Sequence, residues 1–375
     1  MKLHMSRQII YFPGLNGLRF LSALTVIITH LELMQDKLEL ENSWSNLLIH
    51  NLGVIGVSFF FVLSGFLITY LMIEERDRFK SFSVKSFYLR RIFRIWPLYF
   101  LILILGFFIL PNFTYVPFFS ENLEINFLSN LIIYLFIFPN IALSIFPAVP
   151  LIGQSWSIGV EEQFYLIWPI IFKFFKNFNL ILLIKLLFLF VFMKFVVLLF
   201  SLQIDSNWLL VVKKNLAMLK FENMIIGAMG AVIMKNKDRY IKYVLNNMAL
   251  FFSVTGIFLS LYIIPNYLRD GLHILHALFF IIVILNVSSN PSSFLKLENK
   301  LLNFLGRISY GIYMYHLIVI YFTIKLLEIY DTNSKLLLYT LSILLTCIVS
   351  YISYIIFEKR FLNLKDKFAI LKATN

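Results

Sequence analysis

Two adjacent carboxylates, Glu161 and Glu162, lie inside an apolar stretch of the chain that begins at Trp156. A charge at membrane depth costs on the order of 2.5–3.5 kcal/mol on insertion scales, so such residues usually face a cavity or a partner. On a helix that begins near Trp156, Ser157, Glu161 and Tyr165 are four residues apart and share one side. Helix capping is the alternative, and it accounts for one glutamate better than for two. The segment therefore predicts a polar site that could orient or transfer a proton.

Arg19 and His30 lie eleven residues apart in the first apolar run. On a helix this spacing is about three turns, or ~16 Å, so the two side chains share a face. A histidine with its ordinary pKa of about 6.5 can take or deliver a proton at physiological pH. The alternative is that Arg19 reaches to lipid headgroups and His30 lies at the interface. The shared face favours a functional pair.

Three arginines, Arg90, Arg91 and Arg94, form one cationic face at the start of the third apolar run. Guanidinium groups can grip phosphate with two hydrogen bonds at once. The pattern therefore predicts a clamp for a phosphate-bearing donor. A positive anchor on the cytoplasmic side of the membrane is the alternative.

A further polar face combines Ser309, Tyr313 and His316 near the start of a late apolar run. A lone histidine among aromatic residues is also often a satisfied core residue. No spacing in the chain matches a zinc motif such as His-Glu-x-x-His, so we expect no metal. The single cysteine, Cys347, excludes an intramolecular disulfide and a cysteine-based metal cluster.

The composition is that of a membrane protein. Hydrophobic residues make up 60% of the chain and charged residues 14%, whereas soluble domains carry about 25% charged residues. We therefore expect an all-α fold, a polytopic bundle of transmembrane helices. The net charge of +13 requires no nucleic-acid partner, because Lys and Arg gather on the cytoplasmic side of membrane proteins.

Eleven apolar segments are candidate spans, and a straight crossing takes about 20 residues. Both termini are basic, with Lys2 and Arg7 at one end and residues 359–375 at the other, so both are predicted to be cytoplasmic. That requires an even number of crossings. The weakest candidate, 126–142, contains prolines and asparagines and is predicted to be re-entrant or interfacial. The expected total is about ten transmembrane helices.

The chain is predicted to form a single membrane domain, 1–375, with a catalytic core at 10–358 and a basic cytoplasmic tail at 359–375. The segment 74–94 holds seven basic and three acidic residues and is predicted to be an inside loop. The longest candidate outer loop is 201–220.

Taken together, these residues resemble the acyltransferase-3 family of integral membrane acyltransferases. The resemblance covers nearly the whole chain and rests on five motifs in the family's order. The sequence departs from the usual pattern at Met314-Tyr315 and at Glu358-Lys359. The matching motifs are Arg19 and His30 with ten residues between them, Gly56 to Ile68, Arg91-Ile92-Phe93-Arg94, Ser155-Trp156-Ser157 with Val160 to Tyr165, and Ile308 to Tyr313 with His316.

The resemblance implies an O-acetyltransferase of the cell (inner) membrane. It would move an acyl group, commonly acetyl, from cytoplasmic acyl-CoA to a sugar hydroxyl at or beyond the outer face. The donor would be a substrate, and no permanently bound cofactor is implied. By this resemblance Arg91 and Arg94, with Arg90 beside them, would hold the phosphates of coenzyme A. Arg19 would lie on the donor's path, and Glu161 would orient a proton-transfer partner or the acceptor.

For His30 the resemblance implies a general base acting on the acceptor hydroxyl, or a transient carrier of the acyl group. The remaining candidate cavity residues are Ser157, Glu162, Tyr165, Ser309, Tyr313 and His316.

Two other functions compete with acyl transfer. A transporter or flippase for lipid-linked sugars also buries charges, but transporters tend to have paired halves with repeated broken helices. No such internal symmetry is visible in the sequence. A membrane glycan polymerase is expected to carry a large outer loop with its own basic residues, and the candidate loop 201–220 is short.

Overall fold

The computed structural model describes residues 9–113, 124–204, 206–236, 241–263, 269–368 and 372–374. Nearly all regular structure in these ranges is helical, and the prediction of an all-α membrane bundle is confirmed. Among the described residues, seven helical segments are long and apolar enough to cross a membrane, so the chain is a multi-pass membrane protein. The helices within these ranges are α1 (Leu15–Lys37), α2 (Leu47–Phe79), α3 (Val84–Ile104), α4 (Phe127–Leu135), α5 (Pro139–Ile145), α6 (Trp156–Phe174), α7 (Leu180–Gln203), α8 (Asn207–Met218), α9 (Phe221–Asn236), α10 (Ile241–Val244), α11 (Asn247–Ile263), α12 (Arg269–Ser289), α13 (Lys300–Arg307), α14 (Ser309–Ile329), α15 (Lys335–Ser353) and α16 (Lys359–Lys367).

The ten expected crossings stay a prediction. Besides the seven long segments, α11 and α12 are shorter apolar helices, and α6 carries the two glutamates. The segment 126–142 is broken into α4 and α5, of 9 and 7 residues. These lengths correspond to about 13 and 10 Å, against a hydrocarbon thickness of about 30 Å. Neither helix is long enough to cross by itself, and the re-entrant or interfacial placement stays a prediction.

Two segments that were predicted to be loops are largely helical, while the sides of the membrane on which they lie stay predictions. The segment 74–94 is helical except for 80–83, because α2 continues to Phe79 and α3 begins at Val84. Its charges satisfy one another within the fold: Glu74 pairs with Arg78 and with Lys235 of α9. The segment 201–220 likewise contains the helix α8.

The C-terminal segment, predicted as a basic tail, contains α16 and a short strand, β2 (Lys372–Thr374). This strand pairs in parallel with β1 (Ile9–Tyr11), just before α1. The two chain ends are therefore joined. Lys2 and Arg7, which contributed to the predicted orientation, lie outside the described residues.

Helix α2 packs backbone to backbone against α9 through two glycines. A Cβ atom on Gly65 would lie 2.0 Å from the carbonyl oxygen of Met224, and one on Gly227 would lie 2.0 Å from that of Val62. Small residues allow membrane helices to approach this closely. Gly56 does the same against α1, where a Cβ would lie 2.7 Å from the carbonyl oxygen of Ser22. These contacts fix α2 between α1 and α9.

The start of α1 is held by the carboxylate of Glu298. This carboxylate accepts a hydrogen bond of 2.6 Å from the backbone N–H of Gly14 and one of 2.5 Å from Asn303 Nδ2. Tyr11 OH donates to it as well. Gly14 has φ +72°, the left-handed conformation in which glycine is favoured. The helix that carries Arg19 therefore begins at a fixed point.

Candidate active site

Six helices, α1, α2, α3, α6, α14 and α16, surround one open cavity of about 1480 Å³, its mouth included. Along α2 the lining extends from Glu75 to Val57, which is about 27 Å of helix. That is close to the thickness of a hydrocarbon core, about 30 Å. The lining includes nine of the residues that the sequence singled out, namely Arg19, Arg90, Arg91, Arg94, Ser157, Glu161, Tyr165, Ser309 and Tyr313.

The arginines give the cavity an anion-binding character. The Arg91 guanidinium lies against two rings, 5.5 Å from the centroid of Phe87 and 5.2 Å from that of Tyr165, as in cation–π contacts. Arg91 Nε is buried and has no hydrogen-bond partner among the described residues. Such a buried donor costs about 1–3 kcal/mol until an acceptor satisfies it. Arg94 and Arg19 lie within electrostatic reach of Arg91.

Glu161 faces these arginines and is held at both oxygens. Ser64 Oγ donates to Oε1 at 2.8 Å, and Tyr165 OH donates to Oε2 at 3.1 Å. Ser64 comes from α2 and Tyr165 from the next turn of α6. The carboxylate is therefore oriented before any ligand binds.

Glu162 lies on another side of α6 and does not line the cavity. Its Oε2 accepts a 2.8 Å hydrogen bond from Trp96 Nε1. Its Oε1 is buried without a partner among the described residues. Successive residues on a helix point about 100° apart, and the two neighbouring glutamates are thus separated.

His30 and His316 meet outside the cavity lining, with His316 Nε2 3.2 Å from His30 Nδ1. His30 Nδ1 is also 2.9 Å from the carbonyl oxygen of Val26, and His316 Nδ1 is 2.6 Å from that of Tyr313. A carbonyl only accepts, so we assign the hydrogen of each ring to Nδ1. His30 Nδ1–H then donates towards His316 Nε2 as well. The lone pair of His30 is left at Nε2, where it can accept a proton.

Tyr313 connects the histidine pair to the cavity. Its hydroxyl donates to the carbonyl oxygen of Gln154 at 3.0 Å and lies 2.7 Å from Ser157 Oγ, which can donate to it. Its ring centroid is 5.7 Å from that of His316. Tyr313 and Ser157 line the cavity, so the histidines lie one layer of side chains behind its wall. His316 is fully buried, whereas His30 is partly exposed.

A family model described as an acyltransferase domain, that of acyltransferase-3 proteins, matches residues 12–355. The chain belongs to the acyltransferase-3 family. The family resemblance of its motifs is thereby confirmed.

Several relatives of this acyltransferase-3 chain have names that state an activity. Peptidoglycan O-acetyltransferase OatA of Listeria monocytogenes is 30% identical over 86% of this chain and 51% of its own. A protein of Staphylococcus aureus named "Putative O-acetyltransferase" is 28% identical over 94% of this chain and 57% of its own. The chain thus spans about half the length of these curated relatives. No solved structure shows significant similarity to it.

Five polar residues of the cavity lining in this acyltransferase-3 protein are not among the functional residues predicted from the sequence: Ser64, Glu75, Tyr310, Lys365 and Asp366. Ser64 and Tyr310 lie inside the family-like segments Gly56 to Ile68 and Ile308 to Tyr313, and this position is the signal in the sequence that points to them. Within the part of the chain that is described, no group of three or more His, Cys, Asp or Glu residues could hold a metal ion.

Proposed function

We propose that this protein is an O-acetyltransferase of the cell (inner) membrane. It would take an acyl group, most simply acetyl, from cytoplasmic acyl-CoA and transfer it to a hydroxyl of a cell-surface or lipid-linked glycan. One observation carries the proposal: an arginine-lined cavity about as deep as a membrane ends one side-chain layer from a histidine with an available lone pair. The word peptidoglycan in the name of a relative supports a glycan acceptor.

The donor would enter with its thioester first. Its diphosphate would reach Arg91 and Arg94, where the buried Nε of Arg91 lacks an acceptor. Charge-assisted bonds from guanidinium to phosphate are among the strong hydrogen bonds of proteins. The uncharged pantetheine arm would then extend past Glu161 towards Ser157 and Tyr313.

His30 would act as the general base. Its Nε2 accepts the proton of the acceptor hydroxyl while the hydroxyl oxygen attacks the thioester carbonyl carbon. The carbon–sulfur bond breaks, and the leaving thiolate takes the proton from His30, which gives an O-acyl ester and free coenzyme A. The acceptor would approach from the side on which His30 is exposed. The thioester and His30 would meet when Tyr313 and Ser157 move apart.

The proposal is tested with the full chain reconstituted in proteoliposomes. Radiolabelled acetyl-CoA is supplied with peptidoglycan fragments, and the label is followed into alkali-labile esters on the glycan. We expect label to depend on both substrates. Movement of a lipid-linked sugar across the bilayer without any acyl transfer would overturn the proposal in favour of a flippase. Label trapped on the protein before acceptor is added would indicate that His30 carries the acyl group.

His316 is expected to act by holding His30. His316→Phe fills the same space but removes one of the two acceptors of the His30 Nδ1–H, so that only the carbonyl oxygen of Val26 still holds the ring. We expect kcat to fall about tenfold or more, in keeping with a lost hydrogen bond of 1–2 kcal/mol to the catalytic base. His316→Gln, whose amide oxygen can accept, should recover part of kcat. The measurement is initial rate against acetyl-CoA concentration; a change in KM alone would contradict the assignment, because His316 does not contact the cavity.

A further inference from the structure

The C-terminal helix α16 forms part of the cavity wall. Lys365 and Asp366 line the cavity at the same end as Glu75 and Arg90. Glu75 lies near the inner end of α2, where Arg76, Arg78 and Lys80 follow it. This end is therefore the mouth through which a cytoplasmic donor would enter.

Three contacts hold the end of α16 at this position. The ring of Phe368 stacks on that of Phe93 of α3, with 5.6 Å between the centroids and 7° between the planes. Arg90 Nη1 donates to the carbonyl oxygen of Phe368 at 3.4 Å. Beyond Phe368, β2 pairs with β1. Lys365 is therefore presented to the cavity by a fixed segment rather than by a free tail.

The two cations of the mouth have different surroundings. Arg90 Nη2 is 3.1 Å from Glu75, whose side chain is only 2% exposed. Lys365 Nζ is 3.8 Å from Asp366, whose side chain is 42% exposed. An exposed pair at this distance contributes little to stability. A lysine ammonium carries three N–H donors, so a phosphate at the mouth could bind Lys365 Nζ in addition to its present partners, whereas Arg90 is held by a buried carboxylate.

We propose that Lys365 binds the outermost phosphate of the donor, the 3′-phosphate on the ribose of coenzyme A. The inference rests on the proposed function. With the thioester at Tyr313 and the diphosphate at Arg91 and Arg94, the nucleotide end remains at the mouth beside Lys365. The residue selects donors that carry the 3′-phosphate over those that lack it.

The test compares two ligands, coenzyme A and 3′-dephospho-coenzyme A, binding to the full chain in lipid nanodiscs by titration calorimetry. We expect wild type to prefer coenzyme A. Lys365→Ala should weaken coenzyme A binding about tenfold, as expected for one hydrogen bond to a charged group, and leave dephospho-coenzyme A unchanged. Lys365→Arg should keep the preference. Lys367→Ala is the matched control, an exposed lysine on the same helix outside the cavity lining, and should change neither affinity.

The outcomes separate this inference from the function on which it rests. Equal weakening of both ligands by Lys365→Ala would mean that α16 has lost its position, and it would overturn the phosphate assignment. Unchanged binding of both ligands would overturn it too, while wild-type binding of coenzyme A would still support the donor. If wild type binds neither ligand, the acyl-CoA donor itself is wrong, and the role of Lys365 falls with it.

Discussion

His30→Ala is expected to abolish acyl transfer while the protein still inserts in the membrane and binds its donor. General acid–base groups contribute about 10²–10⁴-fold to rates, and the available lone pair at His30 Nε2 is the base that the proposal requires. Because His30 does not line the donor cavity, the affinity for coenzyme A should stay at the wild-type value. The measurements are the initial rate in proteoliposomes and the affinity in nanodiscs.

His50→Ala is the matched control for this prediction. His50 lies in the first turn of α2 and packs on Trp44, with 4.6 Å between the ring centroids. Its ring packs on Trp44, whereas the ring of His30 packs on that of His316, so its variant should transfer acyl groups at the wild-type rate. Full activity of His30→Ala, with normal amounts of protein in the membrane, would remove His30 from the reaction.

Much of the site could be predicted because charged residues are costly at membrane depth. Arg19, Arg94 and Glu161 come from three separate helices, and each stands out against apolar neighbours. Residues of this kind must find a shared polar environment. Their common position in one cavity follows from that cost together with the family resemblance.

Other parts depend on tertiary packing that no local pattern contains. His30 and His316 are 286 residues apart, and their contact requires α1 and α14 to pack at one particular rotation. In the sequence, Ser64 does not differ from other small residues of a membrane span. Its role becomes visible only in the fold, where it donates a hydrogen bond to Glu161 of α6. In the sequence, Lys365 is one of several basic residues near the C-terminus. Only the packing of α16 along α3 places it at the cavity.

Clusters of charged residues in the sequence also predict loops where the fold has helices. In the segment 74–94, polarity suggested solvent, yet Glu74 and Glu75 are 5% and 2% exposed and pair with basic residues on neighbouring elements. Buried ion pairs of this kind are satisfied only by the assembled fold. Glu75 consequently lies at the mouth of the cavity rather than in a loop outside the membrane.

Replacing Arg91 and Arg94 together by alanine is expected to lower kcat/KM for acetyl-CoA at least about 100-fold, mainly through KM. Each guanidinium would lose a charge-assisted contact to phosphate worth about 1.5–3 kcal/mol. Arg91 should matter most when replaced singly, since it lies between Phe87 and Tyr165 with its Nε buried and unsatisfied. The measurement is initial rate over a range of acetyl-CoA concentrations at a fixed acceptor concentration.

A control variant distinguishes the loss of two phosphate-binding arginines from a general loss of positive charge at the same end of the protein. Arg78→Ala removes a guanidinium near the same end of the protein, where Arg78 pairs with Glu74 and does not line the cavity. Its KM for acetyl-CoA should stay at the wild-type value, because Arg78 does not line the cavity and Glu74 keeps its second partner, Lys235. Replacing Arg91 and Arg94 by lysine should restore only part of the affinity, because ammonium groups lack the planar two-bond geometry of guanidinium.

A double alanine variant that changed only the KM for the glycan would assign the pair to the acceptor instead. Wild-type kinetics in that variant, with the protein correctly inserted, would show that the two arginines serve only to orient α3.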